Sequence, residues 1–186
     1  WENVDVIRDA LQSGDPRPLE AALRSYRDRV AAAGGVCYID PPDAESLPPG
    51  AGLMGAALTA TMGELLILIG EQTVPRPAAY REGLSKLLNL RRRFPALCAG
   101  AARQQIPTSD DTRFYAFLRG PDDGERALAV FNFQASSQPV QVDLSGQAVT
   151  GLEDMLSGEQ VKLSAQDITL DLPAYGYRIF RIAAAG

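Results

Sequence analysis

Apolar residues in the first half of the chain recur at helical spacing, three or four positions apart. Such a stripe is typical of an amphipathic helix that buries one face. It predicts a helix that ends at Ser13, a second over residues 16–33 and a third from Tyr80 to about Phe94, before Pro95. The stretch from Leu53 to Met62 is small and apolar throughout, which predicts a closely packed helix.

Two short runs in the same half differ from the helices because they have little or no polar content. Val36–Ile39 is a short apolar run after Gly34-Gly35, and Leu65–Ile69 contains no polar residue. A strand buried on both faces has this composition, so the runs predict a parallel sheet covered by helices.

The second half has the two-residue period of β-strands. Val140, Val142 and Leu144 alternate with polar residues, and turn sequences such as Ser145-Gly146 recur between the runs. This pattern predicts an antiparallel sandwich, with the junction between the two halves near residues 98–112. The predicted strand runs are 113–119, 127–133, 139–144, 151–156, 168–172 and 177–182.

Charge and composition exclude several classes of function. The net charge of −5 argues against nucleic acid or an anionic membrane as a partner. The basic cluster Arg91-Arg92-Arg93 is expected on the solvated side of a helix. With no histidine in the chain, Ser-His-Asp and Cys-His mechanisms and imidazole metal sites are excluded. We expect no cofactor and no metal site.

The two cysteines and the chain start bear on the compartment. Cys37 and Cys98 lie far apart in apolar contexts and form no CxxC motif, so two buried free thiols are expected. No apolar stretch is long enough for a membrane-spanning helix, and no signal peptide is visible. These features favour a cytoplasmic location without fixing it.

Acidic residues follow the first apolar run, in "CYIDPPDAESLPPG" (residues 37–50). Asp40, Asp43 and Glu45 could form a catalytic rim, since neighbouring carboxyls perturb each other's pKa. The favoured interpretation is a Pro-rich turn at a barrel rim, where Asp is common because it bonds the local backbone.

Several motifs resemble the α-amylase family of glycoside hydrolases. "LLNLRRRFPAL" (87–97) is similar to the last helix of that family's barrel. "FYAFLRG", "ALAVFNF", "DMLSGE" and "LPAYGYRIFRI" are similar, in order, to parts of the β-sandwich C domain that follows the barrel. "GELLILIG" (63–70) and "YIDPPD" (38–43) fall where the family has its eighth and seventh barrel strands.

The resemblance implies an α+β fold. Residues 1–100 would be the end of a (β/α)₈ barrel, with about two parallel strands and their helices, and residues 101–186 an antiparallel β-sandwich. In the family, an aspartate that supports the transition state corresponds to Asp43 here. Asp40 and Glu71 are candidate substrate-binding residues.

The resemblance also implies that this chain lacks the main catalytic groups. The family's nucleophile and general acid/base follow the fourth and fifth strands, which residues 1–100 are too short to include. The segments that are present also depart from the family: Pro41-Pro42 replaces Asn-His, and aliphatic residues replace the tyrosines of the eighth strand.

Three hypotheses follow. The chain is the C-terminal part of an α-amylase-like glycoside hydrolase that acts on α-glucans, and is not catalytic alone. Alternatively, it is a polysaccharide-binding β-sandwich that uses Tyr115, Tyr175 and Tyr177, although tyrosines at strand spacing are more often core. In the third, the sandwich is structural, and the rest of the barrel is supplied upstream, in trans or by self-association.

Overall fold

The computed structural model describes most of the chain, with two longer gaps in the first half. The described residues are 2–32, 47–62, 77–98, 101–121, 124–147, 149–161, 163 and 166–184. Four α-helices come first: α1 (Glu2–Ser13), α2 (Arg17–Ala32), α3 (Ala51–Met62) and α4 (Ala78–Arg93). A 3₁₀ turn, Pro95–Leu97, follows α4.

All the strands in the described part of the chain belong to the second half and pair antiparallel. They are β1 (Arg103–Ile106), β2 (Phe114–Arg119), β3 (Arg126–Asn132), β4 (Gln138–Asp143), β5 (Val149–Asp154), β6 (Gln160–Val161), β7 (Asp167–Leu172) and β8 (Tyr177–Ala184). Six of them form one sheet in the order β1-β2-β3-β8-β5-β6, and β4 pairs with β7 in a second, small sheet.

The central strands of the six-stranded sheet are buried on both faces. Every residue of β2 and β3 is buried. Phe114, Ala116 and Leu118 point to one side and pack in a core with residues of β4 and β7. Tyr115 and Phe117 point to the other side and pack in a core with α1, α2 and α3. The protein therefore has three layers: the β4–β7 sheet, the six-stranded sheet and the helices.

Helix α3 lies within the helical layer rather than on its surface. Eleven of its residues are buried, because the helix contacts α1, α4, β3 and the 3₁₀ turn. Its approach to α4 is close enough that a Cβ on Gly83 would lie 2.6 Å from a methyl group of Leu53. Small residues in this helix and its neighbour make the close packing possible.

The described elements confirm most of the predicted ones. The four helices and the six strand runs occur within a few residues of their predicted bounds. The fold is α+β, with an antiparallel sandwich in the second half. The predicted parallel strands, Val36–Ile39 and Leu65–Ile69, lie outside the described residues. Sequence reasoning missed β1 and β6.

Two expectations about side chains need refinement. Arg91 is not simply solvated: it is half-buried, and its guanidinium donates a hydrogen bond of 2.7 Å to the Ala60 carbonyl at the end of α3. Arg92 and Arg93 are exposed, as expected. Cys98 is a free thiol, half-buried rather than buried, with Sγ 3.5 Å from the Arg91 carbonyl oxygen.

Candidate functional site

The three site residues named from the sequence all lie outside the described residues. Asp40 and Asp43 fall within residues 33–46, and Glu71 falls within 63–76. Their roles therefore remain predictions. The described residues carry a different set of polar groups, concentrated where the helices meet the sandwich.

The three tyrosines considered as sugar platforms belong to the core. Tyr115 is 1% exposed. Tyr175 and Tyr177 are partly buried and pack against the core between the sheet and the helices, where the Tyr177 ring stacks on Phe131. Burial raises the pKa of Tyr177 to about 12. Among the aromatic side chains whose exposure is described, Tyr80, Tyr175 and Tyr177 are half-buried and the others are buried.

A carboxylate of α2 is bound by two residues of the sandwich. The Tyr115 hydroxyl donates a 2.6 Å hydrogen bond to Glu20 Oε2, and the Arg103 guanidinium lies 3.1 Å from the same oxygen. Burial alone would raise the pKa of Glu20, but Tyr115 and Arg103 hold it below its usual value. Glu20 is therefore an ionised structural link between α2 and strands β1 and β2.

A buried arginine makes a second link. Arg119, at the end of β2, is 2% exposed. Its guanidinium donates hydrogen bonds to three main-chain carbonyls: Thr61 (3.0 Å), Met62 (2.7 Å) and Cys98 (2.7 Å). Such charge-assisted bonds offset the cost of burying the cation, which would otherwise be large.

The motif "DMLSGE" forms a turn organised by its first residue. Asp154 is 3% exposed, and its Oδ1 accepts hydrogen bonds from the amides of Leu156 and Ser157, each 2.9 Å long. Its Oδ2 accepts from Arg178, which also donates a 2.6 Å bond to Glu159. Arg178, the arginine of "GYR", thus joins β8 to this turn through two ion pairs.

The asparagine of "FNF" joins two further segments. Asn132 is fully buried, and its side-chain amide donates to the carbonyls of Ser136 (2.9 Å) and Pro173 (2.8 Å). Its main-chain amide donates to Gly176. A Cβ at Gly176 would lie 2.5 Å from the Pro173 ring, so this close turn needs glycine there.

Two surface grooves in the described part of the chain are each lined by two acidic residues among others. One, of about 680 Å³, is lined by polar residues of the sandwich that include Asp143 and Asp167. Asp143 accepts from the Ser145 amide and Asp167 from Gln141, so both carboxylates have local partners. Within the described residues no group of three or more potential ligands could hold a metal ion. No helix in that part of the chain could span a membrane.

A comparison with protein families identifies the second half. Residues 104–179, less than half of the chain, match the family described as "Maltogenic Amylase, C-terminal domain". This range starts in β1 and ends in β8, so it includes all or part of every strand of the sandwich. Among curated proteins, no sequence matches significantly.

Solved structures extend the likeness to the helices. A noncanonic maltogenic α-amylase, AmyB, from Thermotoga neapolitana is 15% identical; the match covers 97% of this chain and 48% of AmyB, with a TM-score of 0.72. An α-amylase from Anoxybacillus is 15% identical, with 100% and 46% covered and a TM-score of 0.70. This chain thus spans about half the length of those two enzymes.

The fold likeness also includes a glycosidase that is not an amylase. A β-L-arabinopyranosidase from Geobacillus stearothermophilus is 16% identical, with 75% of this chain and 32% of that one covered and a TM-score of 0.57. At such identity the likeness concerns the fold alone, and it extends to glycosidases other than amylases. The family match and the ordered motifs confirm the resemblance to the C-terminal part of an α-amylase-family glycoside hydrolase.

Sequence reasoning named none of the links between helices and sandwich. Glu20 and Arg103 stood in no quoted motif, and Arg119 stood in "FYAFLRG" without an assigned role. The sequence did give one signal for Arg119. This residue ends the apolar run "FYAFLR", and a strand that is buried on both faces places its last residue in the interior. Asp154 and Arg178 stood in quoted motifs, but their pairing across 24 positions became visible only in the fold.

The Asp154 turn generates a prediction about pH. Burial alone would raise the pKa of Asp154, but the Ser157 amide and Arg178 hold it below its usual value. Its stabilising contribution is therefore present above about pH 4, the unfolded pKa, and is lost as the pH falls through the lower folded value. We expect Asp154→Asn to lower the free energy of unfolding by about 1–3 kcal/mol at pH 7.

Urea denaturation from pH 7 to pH 3 would check this. The difference between wild type and Asp154→Asn should shrink below pH 4, and the exposed Asp171→Asn should change stability by less than about 0.5 kcal/mol at either pH. A difference that stayed constant down to pH 3 would show that the charge of Asp154 contributes nothing.

Proposed function

We propose that this chain, whose second half matches an amylase C-terminal domain, is the non-catalytic C-terminal part of an α-amylase-like glycoside hydrolase. The complete protein would act on α-glucans, and residues 1–100 would be the end of its barrel. The observation that carries the proposal is the match over residues 104–179, which takes in most of the sandwich. The fold likeness to two α-amylases along nearly the whole chain supports it.

The chemistry of the described acids supports a non-catalytic role for this chain. Retaining glycosidases need two carboxyl groups roughly 5–5.5 Å apart, one of them a general acid with a raised pKa. Two largely buried acids in the described part of the chain, Glu20 and Asp154, are both ionised partners of arginines. Their lowered pKa is the reverse of what a general acid requires.

The remaining catalytic parts would come from a partner. A barrel of this family takes about 250 residues, so the fourth and fifth strands would be supplied upstream, in trans or by self-association. In such an assembly Asp43 would be the supporting acid, and Asp40 and Glu71 would contact substrate. These roles rest on the family resemblance of "YIDPPD" and "GELLILIG".

The alternative is a polysaccharide-binding module. This hypothesis rests on the tyrosines of the sandwich. Because those tyrosines are buried or half-buried, they argue against it. Sugar recognition without catalysis usually needs exposed rings or convergent polar groups. The polar groove at Asp143 and Asp167 is the remaining candidate surface for that function.

Hydrolysis assays on the purified chain test the proposal. We expect no turnover of maltooligosaccharides above a buffer blank, because the nucleophile and the general acid/base are missing. Asp43→Asn and the control Asp171→Asn should behave in the same way. Turnover by the wild type that Asp43→Asn abolishes and Asp171→Asn retains would overturn the proposal.

Isothermal titrations discriminate between the proposal and the binding alternative. We expect flat titrations against starch, glycogen and cyclodextrin, because the aromatic rings whose exposure is described are buried or half-buried. A saturable signal that Asp143→Asn weakens, with Asp171→Asn unchanged, would instead place a glucan site in the sandwich groove.

A further inference from the structure

One guanidinium contacts two segments that are distant in the sequence. Arg119 donates to Thr61 and Met62, the last two residues of α3, and to Cys98, which directly follows the 3₁₀ turn after α4. The residues that flank the stretch between Met62 and Cys98 are therefore both bonded to the same side chain of β2.

The chemistry of the contact favours arginine. The last carbonyls of a helix have no partner within the helix, and the partial negative charge at this end attracts a cation. The planar guanidinium presents five donors in a fixed geometry, so it can satisfy carbonyls from two directions at once. A lysine ammonium is a compact point charge on a flexible stem and does not offer this geometry.

We infer that Arg119 is a positioning residue that fixes both ends of the stretch between Met62 and Cys98 to the sandwich. This stretch carries α4 and the "GELLILIG" segment. If the proposed function is right, the sandwich fixes the start of the segment that leads to the last barrel strand. It also fixes the end of the segment that follows the last barrel helix. That second statement rests on the proposed function; the attachment itself does not.

Hydrogen exchange of the whole chain tests the attachment. In Arg119→Met, amides in Leu58–Met62 and in Phe94–Cys98 should exchange about tenfold faster or more, since each charge-assisted bond is worth more than a neutral one. Exchange in β2 and β3 should stay within about twofold of wild type. Arg113→Met is the control: this half-exposed arginine directly precedes β2 and pairs with Asp110.

The outcomes separate the attachment from a general packing role. Faster exchange at both ends together, with the control unchanged, supports the inference. Faster exchange at one end alone, at neither end, or uniformly through the sandwich overturns it.

A conservative variant covers the case in which Arg119→Met does not fold. Arg119→Lys keeps the charge but not the fork of donors, so faster exchange at the two ends should appear in a folded chain. Wild-type exchange in Arg119→Lys would overturn the inference. The experiment uses no sugar, so its result is independent of whether the chain hydrolyses or binds α-glucan.

Discussion

Strands β2 and β3, in the middle of the six-stranded sheet, are buried on both faces, and the rest of the fold depends on covering each face. One face packs on β4 and β7 and the other on the helices. Phe114 and Tyr115, neighbours in the chain, belong to different cores. Burial of the second face removes several large side chains from water, at about 1.5–3 kcal/mol each. The sandwich and the helices therefore form one structural unit.

Polar links cross the contact between the sheet and the helices. Glu20 with Tyr115, Arg119 with the end of α3, and Gln134 with the Gly14 carbonyl each join a helical segment to a strand or its following loop. Buried charges are tolerated because each one is bonded, and removing one partner would leave the other uncompensated. The links thus fix the orientation of the helices on the six-stranded sheet. Apolar packing alone would specify that orientation less well.

Periodicity predicted the helices and six strand runs because each has a regular pattern bounded by turn residues. It missed β1, since Arg103-Gln104-Gln105-Ile106 has no alternation of apolar and polar residues. The unbroken apolar runs of β2 and β3 indicate burial on two faces. The partners of Arg119 could not be predicted, because they depend on where α3 ends in space. The site predictions for Asp40, Asp43 and Glu71 remain untested.

The central claim is that helices and sandwich share one core and unfold together. Differential scanning calorimetry of the chain tests this directly, because a two-state protein has equal calorimetric and van't Hoff enthalpies. We expect a single transition with a ratio close to one. Two separate transitions, with the sandwich melting independently of the helices, would contradict the account.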